Sequence, residues 1–327
     1  MRATIGVLLS LAAISAAQIR LETGKPDHRR MGGGPDSFTL DLNKGEYVEI
    51  LAEQTSVDLV LRLAGPDGKQ IQEVNDLGIG GTELLIQLAD AGGEYGLEVR
   101  AVREGAAGDY VLRLAVRRAA DPRDREVAQA DARFRQLLAA NSADSAEEME
   151  EFAGAFGRLG IVRRQARAFS ASGRMRAAKY SWDRAFADSG KALEAWRVAG
   201  DRAGEGSALI NLGAVCDSMS QYEKAIGFWE QALAIYREVK DRAREGAVLN
   251  NLGVAYMRLS QYEKAMGYQE QALAIAREAK DRAGEGSALI NLGVACHSMS
   301  QYEKAIGFWE QALGIYREVK DRAKVAC

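Results

Sequence analysis

The strongest constraint on this chain is a forty-residue segment that it carries three times in succession, from Asp201 to Lys320. The first and third copies differ at four positions only, which are Ala214/Val294, Val215/Ala295, Asp217/His297 and Ala234/Gly314. The middle copy has diverged further but keeps the same frame. A fixed period of this length is typical of stacked-repeat proteins, in which each unit buries its apolar face against its neighbours. We therefore predict a solenoid with units at residues 201–240, 241–280 and 281–320.

Each unit is predicted to form two helices. In the first unit, Asp201 is placed to cap the first helix, whose apolar residues recur at helical spacing. The second helix is expected to begin at Ser220, because the run from Ser220 to Glu223 fits the S-x-x-E capping box and recurs in the other two units. The apolar face of this second helix is wide and consists of Tyr222, Ala225, Ile226, Trp229, Ala232, Leu233 and Tyr236.

The unit resembles the tetratricopeptide repeat, which has a large-x2-Leu-Gly-x2-aromatic run followed by Ala, aromatic and Ala. The residues that carry the resemblance in the first unit are Leu209, Leu212, Gly213, Cys216, Ala225, Trp229 and Ala232. Glycine at position 213 lets the two helices approach closely, and Trp229 then fills the remaining space. The family's closing proline is replaced by Arg237, and the forty-residue period is similar to that of kinesin light chains. The resemblance implies a right-handed stack of helix pairs with a concave side.

Helical patterns continue on both sides of the three units. Residues 161–200 read as a degenerate fourth copy, and residues 119–160 are predicted to be a helical adaptor. Residues 321–327 begin a further unit. Without a following helix, the last full unit would expose part of its stacking face, so we expect self-association through this uncapped C-terminal repeat. The alternative is a shortened chain whose continuation is lost.

Residues 36–118 alternate between apolar and polar positions, which is the period of a β-strand with one buried face. The predicted inward faces are Phe38/Leu40/Leu42, Val57/Leu59/Leu61/Leu63, Leu84/Ile86/Leu88, Tyr95/Leu97/Val99/Ala101 and Tyr110/Leu112/Leu114/Val116. Glycine-rich turns separate these runs, so we predict a small antiparallel β-sandwich. The predicted fold class is a multi-domain α and β protein, in which the β-sandwich is followed by an all-α solenoid.

The sandwich segment resembles the pre-peptidase C-terminal domain of exported bacterial proteins. The runs that carry this resemblance are FTLDLNKGEYVEILAEQ, VLRLAGPDGKQI, GGEYGLEVRAV and AGDYVLRLAV. The resemblance implies a jelly-roll-like arrangement of the strands.

Residues 1–17 have the layout of a secretory signal peptide, with one positive charge, an apolar run and small residues before a cleavage point after Ala17. Cleavage would give an exported protein, periplasmic or extracellular, without a membrane segment. The alternative is an uncleaved N-terminal anchor or a disordered tail. Residues 18–35 hold two prolines, four glycines and few apolar residues, so we predict a linker there.

Composition narrows the function classes. The formal net charge is −3 with both signs interspersed, which argues against a nucleic-acid-binding surface. The three cysteines show no C-x-x-C spacing, and the two histidines, His28 and His297, lie in unrelated regions. The sequence has no G-x-S-x-G, H-E-x-x-H or P-loop motif. We therefore expect no catalytic residues, no metal site and no cofactor.

The candidate binding site follows from the repeat resemblance. In the tetratricopeptide family the first helix of each unit lines the concave face. The matching polar residues here are Ser207, Asn211, Asp217, Asn250, Asn251, Arg258, Asn291 and His297. Asn211, Asn251 and Asn291 occupy one equivalent position, and an amide can both donate to and accept from an extended peptide backbone. In repeats of the kinesin-light-chain type an asparagine at this place does so. The alternative is that these asparagines bond neighbouring helices and hold the stack together.

These patterns predict a non-catalytic scaffold that binds a protein or peptide segment on the concave face. Two alternatives remain open. An exported sandwich followed by forty-residue repeats resembles the N-terminal part of bacterial proteins that end in a CHAT-type protease domain, so the chain could be a truncated regulatory arm of such a protease. The sandwich could instead bind glycan or matrix, with the helices as a spacer.

Overall fold

The computed structural model describes residues 19–32, 34–75, 77–140 and 142–325. The predicted signal peptide lies outside this part of the chain, and so does Cys327. The strands are β1 (Ile19–Arg20), β2 (Pro26–Gly32), β3 (Asp36–Leu42), β4 (Glu46–Gln54), β5 (Leu59–Ala64), β6 (Gln70–Val74), β7 (Thr82–Leu88), β8 (Gly93–Ala101) and β9 (Ala107–Ala119). The α-helices are α1 (Pro122–Ala140), α2 (Ala146–Leu159), α3 (Val162–Ala178), α4 (Trp182–Ala199), α5 (Arg202–Ser218), α6 (Tyr222–Glu238), α7 (Arg242–Arg258), α8 (Tyr262–Glu278), α9 (Arg282–Ser298) and α10 (Tyr302–Val325).

Strands β2 to β9 form a jelly roll. One sheet has the strand order β2-β9-β4-β7, and the other has the order β3-β8-β5-β6 with the short β1 beside β3. The β1–β3 pair is parallel, and the other neighbouring strands are antiparallel. Two four-stranded sheets in this order make the double Greek key of a jelly roll. The predicted antiparallel sandwich is therefore confirmed.

The core between the two sheets consists largely of the predicted inward faces. The buried residues that confirm these faces are Phe38, Leu40, Leu42, Val57, Leu59, Leu61, Leu63, Tyr95, Leu97, Val99, Tyr110, Leu112 and Leu114. The phenol of Tyr110 donates a hydrogen bond to the Asp36 carboxylate at 2.5 Å. Burial of the ring and this carboxylate neighbour raise the pKa of Tyr110. The one polar atom of this core tyrosine is thus satisfied.

Strand β7 departs from the predicted pattern because both of its faces are buried. Leu85 lies in the sandwich core, whereas Leu84 and Ile86 pack with Val127 of α1 and Leu159 of α2. The prediction that Leu84 and Ile86 face the sandwich core is wrong. Alternation identifies which residues share a face, but it does not say that the outer face of this sheet is covered by helices.

A β-bulge changes the face of one residue in β9. Glu49 of β4 lies opposite Val116, and the next residue, Ile50, lies opposite Leu114. The extra residue Ala115 shifts the register, so Leu114 stays in the sandwich core while Val116 packs with the outer, helix-facing cluster. Placing Val116 on the same face as Leu114 is therefore wrong.

The segment predicted to be a linker, residues 18–35, contains strand β2. Pro26–Gly32 pairs antiparallel with β9 and forms the edge of its sheet. Met31 is the one side chain of this strand that is fully buried, and it lies in the sandwich core. A proline at the start of an edge strand interrupts no ladder hydrogen bond that a neighbour needs. With so little apolar signal, the strand could not be recognised from composition.

The eight helices from α3 to α10 begin every twenty residues, at positions 162, 182, 202, 222, 242, 262, 282 and 302. The N-cap at Asp201 is confirmed, because its carboxylate accepts from the backbone N–H of Gly204 at 2.9 Å. Asp241 and Asp281 cap α7 and α9 in the same way. Each of these caps contributes about 1 kcal/mol to helix stability. The degenerate copy at 161–200 forms the helix pair α3 and α4.

The predicted capping box at the start of each second helix is wrong. Ser220 has a φ of 59°, and its N–H bonds the carbonyl of Asp217 while the N–H of Gln221 bonds that of Cys216. These two bonds are the Schellman ending of α5, so the serine belongs to the preceding helix. Gln221 is the N-cap of α6 and makes no side-chain cap. The left-handed conformation recurs at Tyr180, Lys240, Ser260, Lys280 and Ser300.

A glycine at one of these helix ends is expected to stabilise the solenoid. The left-handed conformation costs a non-glycine residue roughly 1–2 kcal/mol, and Lys280 has a φ of 55° with an exposed side chain. We expect Lys280→Gly to raise the free energy of unfolding by about 0.5–1 kcal/mol, because the relieved strain exceeds the extra entropy of glycine in the unfolded chain. Urea denaturation followed by circular dichroism measures this. Lys280→Ala keeps the Cβ and is the control; an equal gain from alanine would contradict the strain argument.

The two helices of each unit are held close by a glycine. A Cβ on Gly213 would lie 2.6 Å from Cδ1 of Trp229, and the indole Nε1 donates to the carbonyl of Ile210 at 3.2 Å. In the middle unit Gln269 takes the place of the tryptophan, and its Nε2 donates to the carbonyl of Asn250 at 3.0 Å. The predicted packing of Trp229 beside Gly213 is confirmed.

Buried polar contacts join the sandwich to the helices. Arg164 of α3 is almost fully buried, and its Nε donates to the carboxylate of Asp131 in α1 at 2.5 Å. Its Nη2 donates to the carbonyl of Leu84 in β7 at 2.7 Å. The guanidinium lies 5.9 Å from the ring centroid of Phe134. One side chain therefore ties β7, α1 and α3 together.

The loop after β6 reaches further along the solenoid. A Cβ on Gly80 would lie 2.5 Å from the Cβ of Val239, and Gly78 lies against the guanidinium of Arg244. Arg244 also lies 5.9 Å from the ring centroid of Tyr236. The other two units have glycine at the position of Arg244. Contact with the sandwich loop therefore accounts for the arginine of the middle unit.

Candidate protein-binding surface

The first helices of successive units form a series, α3, α5, α7 and α9, in which α3 contacts α5 and α7 contacts α9. All eight predicted site residues lie on three of these helices. They are Ser207, Asn211 and Asp217 on α5, Asn250, Asn251 and Arg258 on α7, and Asn291 and His297 on α9. We call these eight residues, with the exposed aliphatic side chains between them, the first-helix surface. The register of twenty residues per helix places equivalent positions of the units at the same point along each first helix.

The asparagines of this surface do not all have the same surroundings. Asn291 Nδ2 donates to Asn250 Oδ1 at 2.9 Å, so one amide bond links α9 to α7. Asn211 Nδ2 is buried but has no hydrogen-bond partner among the described residues. Asn251 is half-buried. The structure therefore supports a stack-holding contact for the Asn250–Asn291 pair and shows no such contact for the amide of Asn211 among the described residues.

A cavity of about 150 Å³ lies between α3 and α5, and Asn211 lines it. Ser189 of α4 also lines the cavity, and its side chain is fully buried. The Ser189 hydroxyl, like the Asn211 amide, has no hydrogen-bond partner in the part of the chain that the structure describes. A buried polar group without a partner costs about 1–3 kcal/mol. The cavity thus offers a donor amide and a hydroxyl to a polar group that enters it.

The remaining predicted residues spread along the surface. Ser207 and Asp217 are half-buried on α5, and Arg258 is exposed at the end of α7. His297 is exposed on α9, and its ring centroid lies 5.4 Å from that of Tyr302 and 5.9 Å from that of Trp309. The structure therefore places Asn211 at the cavity between α3 and α5, Asp217 further along α5, and His297 beside the last helix.

The sequence reasoning missed a set of ion pairs that repeats at each junction between units. Glu245 in α7 bonds Arg237 of α6 at 3.0 Å and Arg242 of its own helix at 2.5 Å. Arg242 in turn pairs with Glu278 of α8 at 2.8 Å. The same four positions are joined as Arg197–Glu205–Arg202–Glu238 and as Arg277–Glu285–Arg282–Glu318. The available signal was that these charged residues are identical in every full unit.

The described residues contain no group of three or more side chains suited to hold a metal ion. Cys216 and Cys296 are free and buried, and burial raises the pKa of both thiols. Among the described helices none combines the length and apolar character needed to cross a membrane.

The helical region matches a family of known repeat proteins. Residues 164–238 and 244–318 match the model of the tetratricopeptide repeat. The helical half is a tetratricopeptide solenoid. The two matched segments include α3 to α9 and the part of α10 up to residue 318, so the degenerate copy at 161–200 is part of the solenoid. No curated protein matches the chain.

Solved structures agree on this solenoid fold. A crystal structure of a point variant of a Podosopora anserina putative kinesin light chain with nearly identical TPR-like repeats is 16% identical, with a TM-score of 0.51 over 62% of this chain and 99% of that chain. A second structure of the same putative kinesin light chain is 15% identical, with a TM-score of 0.50 over 61% and 99%. BtubC (BKLC) from P. vanneervenii is 20% identical, with a TM-score of 0.46 over 62% and 93%. The family match and the two Podosopora anserina structures confirm the tetratricopeptide fold, in a form similar to kinesin-light-chain repeats. The resemblances of the sandwich to the pre-peptidase domain and of the whole chain to CHAT proteins stay predictions.

Proposed function

We propose that this protein is a non-catalytic interaction scaffold, and that its first-helix surface binds an extended segment of a partner protein. Tetratricopeptide solenoids are typically protein-interaction scaffolds. The single observation that carries the specific proposal is the pair of unpartnered polar groups, Asn211 Nδ2 and Ser189 Oγ, at the cavity between α3 and α5. A peptide carbonyl or a polar side chain of the partner would give both groups a hydrogen-bond partner.

The chemistry of the surface indicates the kind of segment. Ile290 and Val294 of α9 are exposed large aliphatic residues on the same helix as Asn291. Asp217 and Arg258 carry opposite charges, so the surface has no dominant sign. Amides next to aliphatic side chains favour a backbone in extended form with small or aliphatic side chains. A strongly charged segment would lose its hydration on binding, and this surface has no excess of opposite charge to compensate for that loss.

We expect the double variant Asn211→Ala/Asn251→Ala to weaken such binding at least tenfold. Each lost amide bond contributes roughly 1 kcal/mol, and about 1.4 kcal/mol is a factor of ten in affinity. The probe is a peptide selected by the intact protein from a phage-displayed library of random peptides and then synthesised with a fluorescent label. Fluorescence polarisation with the full chain measures its affinity.

The matched control is Gln231→Ala/Gln311→Ala. These two exposed amides lie on second helices and bond carbonyls four residues earlier in their own helices, at 3.0 and 3.1 Å. We expect this control to change the affinity by less than twofold. Selected peptides whose affinity the asparagine variant leaves unchanged would contradict the proposed site, provided that circular dichroism shows both variants folded.

A further inference from the structure

The last helix, α10, has an apolar stripe that the described residues leave uncovered. Its members are Tyr302 (52% exposed), Ile306 (52%), Trp309 (37%), Leu313 (49%) and Tyr316 (41%). They follow one another at intervals of four and three residues, so they form one continuous seam along the helix. Contiguous apolar exposure of this kind marks an interaction site.

The same seam occurs inside the molecule, where its partner can be seen. Helices α6 and α10 have the same sequence from their first tyrosine to residues 238 and 318, except for Ala234/Gly314. In α6 the equivalents Ile226, Trp229, Leu233 and Tyr236 are 8%, 3%, 6% and 0% exposed. The helix that follows α6 and packs on it is α7. An α10 surface of nearly identical composition is therefore suited to a helix with the chemistry of α7.

A series of ion pairs defines that chemistry further. Each second helix pairs an arginine near its end with a glutamate in the first turn of the next first helix. The three pairs are Arg197–Glu205, Arg237–Glu245 and Arg277–Glu285, each at 3.0 Å. Arg317 is the fourth arginine of this series, and it is exposed with no ion pair or hydrogen bond among the described residues. The α10 surface thus combines an apolar seam with a cation that elsewhere receives a glutamate.

We propose that the α10 seam and Arg317 bind, in trans, an amphipathic helix of another protein that resembles α7. Such a helix carries a glutamate in its first turn, to pair with Arg317, and small or aliphatic residues along one face, to cover Ile306, Trp309 and Leu313. In α7 these features are Glu245 and the fully buried Val248, Leu249, Leu252 and Ala255. This surface lies on a second helix, and it adjoins the first-helix surface where Tyr302 and Trp309 lie beside His297.

A second copy of this chain is a poorer occupant than an α7-like helix. If two α10 seams faced each other, bulky rings such as Trp309 and Tyr316 would meet equally bulky rings, where α7 offers Ala and Leu side chains. Glu303 and Glu310 are the acidic residues next to this seam, and neither is equivalent in position to Glu245. Self-association is therefore an outcome that the experiment must separate from binding of a helix.

One run of residues has two conformations in this chain. The run Arg-Glu-Val-Lys-Asp-Arg-Ala occurs at residues 237–243 and again at 317–323. In the first place α6 ends at Glu238, Lys240 turns with a φ of 59°, and Asp241 caps α7. In the second place the helix continues to Val325. The same run of residues therefore turns in front of α7 and is helical in α10.

The test uses the full chain labelled with 5-fluorotryptophan, whose four tryptophans give separate ¹⁹F signals. The probe is a peptide with the sequence of residues 241–259, blocked at both ends. A second form has a lactam between Ala243→Lys and Ala247→Glu, two positions that are exposed in α7, to hold the helix. We expect saturable movement of the Trp309 signal towards that of Trp229, which is 3% exposed in its own unit. The Trp229 signal is the internal control and should stay in place. The Trp309→Phe and Trp229→Phe variants assign these two signals.

Charge reversal makes the test specific. We expect Arg317→Glu to weaken peptide binding at least tenfold, and a peptide with Glu245→Arg to recover most of that loss on the Arg317→Glu chain. Light scattering without peptide should show a monomer. The proposal is overturned if the helix-locked peptide leaves the Trp309 signal unmoved, if reversal of both charges recovers nothing, or if the protein is a dimer in which Trp309 is already covered by a second copy.

Discussion

Replacing Arg164 with methionine is expected to lower the free energy of unfolding by about 3–5 kcal/mol. The guanidinium is buried where the sandwich meets the solenoid, and it donates to the Asp131 carboxylate and to the Leu84 carbonyl. Methionine would fill much of the space but would leave a buried carboxylate and a buried carbonyl without this donor. Removing one member of a buried ion pair typically costs this much, because the remaining charge stays desolvated. Urea denaturation, monitored by circular dichroism and tryptophan fluorescence, measures the change.

The control for this prediction removes both charges. In Arg164→Met/Asp131→Leu the buried carboxylate that loses the Arg164 donor is itself removed, so most of the lost stability should return. Arg135, which bonds the other oxygen of Asp131 at 2.9 Å, is partly exposed and can be hydrated when the carboxylate is absent. A double variant as unstable as the single one would show that packing of the arginine stem, and not its charge, holds the junction.

A single methyl group at Gly213 is expected to destabilise the solenoid by about 2 kcal/mol. In Gly213→Ala the new Cβ would overlap the rigid indole of Trp229 and force it away from the Ile210 carbonyl to which it donates. Overpacking of this kind costs roughly 1–3 kcal/mol, and the lost hydrogen bond about 1 kcal/mol more. The higher helix propensity of alanine returns about 1 kcal/mol. The midpoint of urea denaturation reports the net effect.

Gly227→Ala is the matched control, since this glycine is also within a helix of the same unit but a Cβ there would meet nothing within 4 Å. Alanine at this position should stabilise the protein by roughly 0.5–1 kcal/mol through helix propensity alone. If both variants shifted stability in the same direction, the close approach of α5 and α6 at Gly213 would not be the feature that limits this position.

Much of the architecture could be predicted because the sequence repeats itself. Three copies of one pattern identified the helix pairs, and Asp201 marked the start of the first helix correctly. Ser220 was misread because serine followed by glutamate is also what remains when a serine ends one helix and a glutamate lies in the first turn of the next. The spacing of serine and glutamate is the same in a capping box and in this helix ending. Only the sign of φ at the serine distinguishes the two structures.

In the sandwich, the alternation of apolar and polar residues assigned some side chains to the wrong face of the sheet. Alternation recovered the strands whose outer faces meet solvent, but in β7 both faces are covered, so Leu84 was assigned to the wrong core. The bulge at Ala115 cannot be recognised from an alternating sequence pattern. It places Val116 on the helix-facing side of the sheet and not in the sandwich core. Tertiary contacts with the helices decide both cases, and these are not encoded within the strands themselves.

The sequence predicted which helices carry the candidate site residues, but it did not predict which of these residues hydrogen-bond to one another. Equivalent positions of the repeat correctly placed Asn211, Asn251 and Asn291 on successive first helices. That Asn291 would bond Asn250, which is one residue out of register with Asn251, depends on side-chain directions across two helices. The cavity beside Asn211 likewise depends on Ser189, which belongs to the degenerate copy and has tryptophan or glutamine at its counterparts. Whether these groups bind a peptide stays a prediction.

The constant spacing of the helix starts has an evolutionary consequence. An in-frame duplication of the block 281–320 would place a new glutamate beside Arg317 and a new arginine forty residues further on. The junction at which Arg244 meets the sandwich would be untouched. Recombination between near-identical copies can therefore lengthen or shorten the array in whole steps. Proteins descended from such a gene would keep the same N-terminal sandwich, while the length of the solenoid would vary among them.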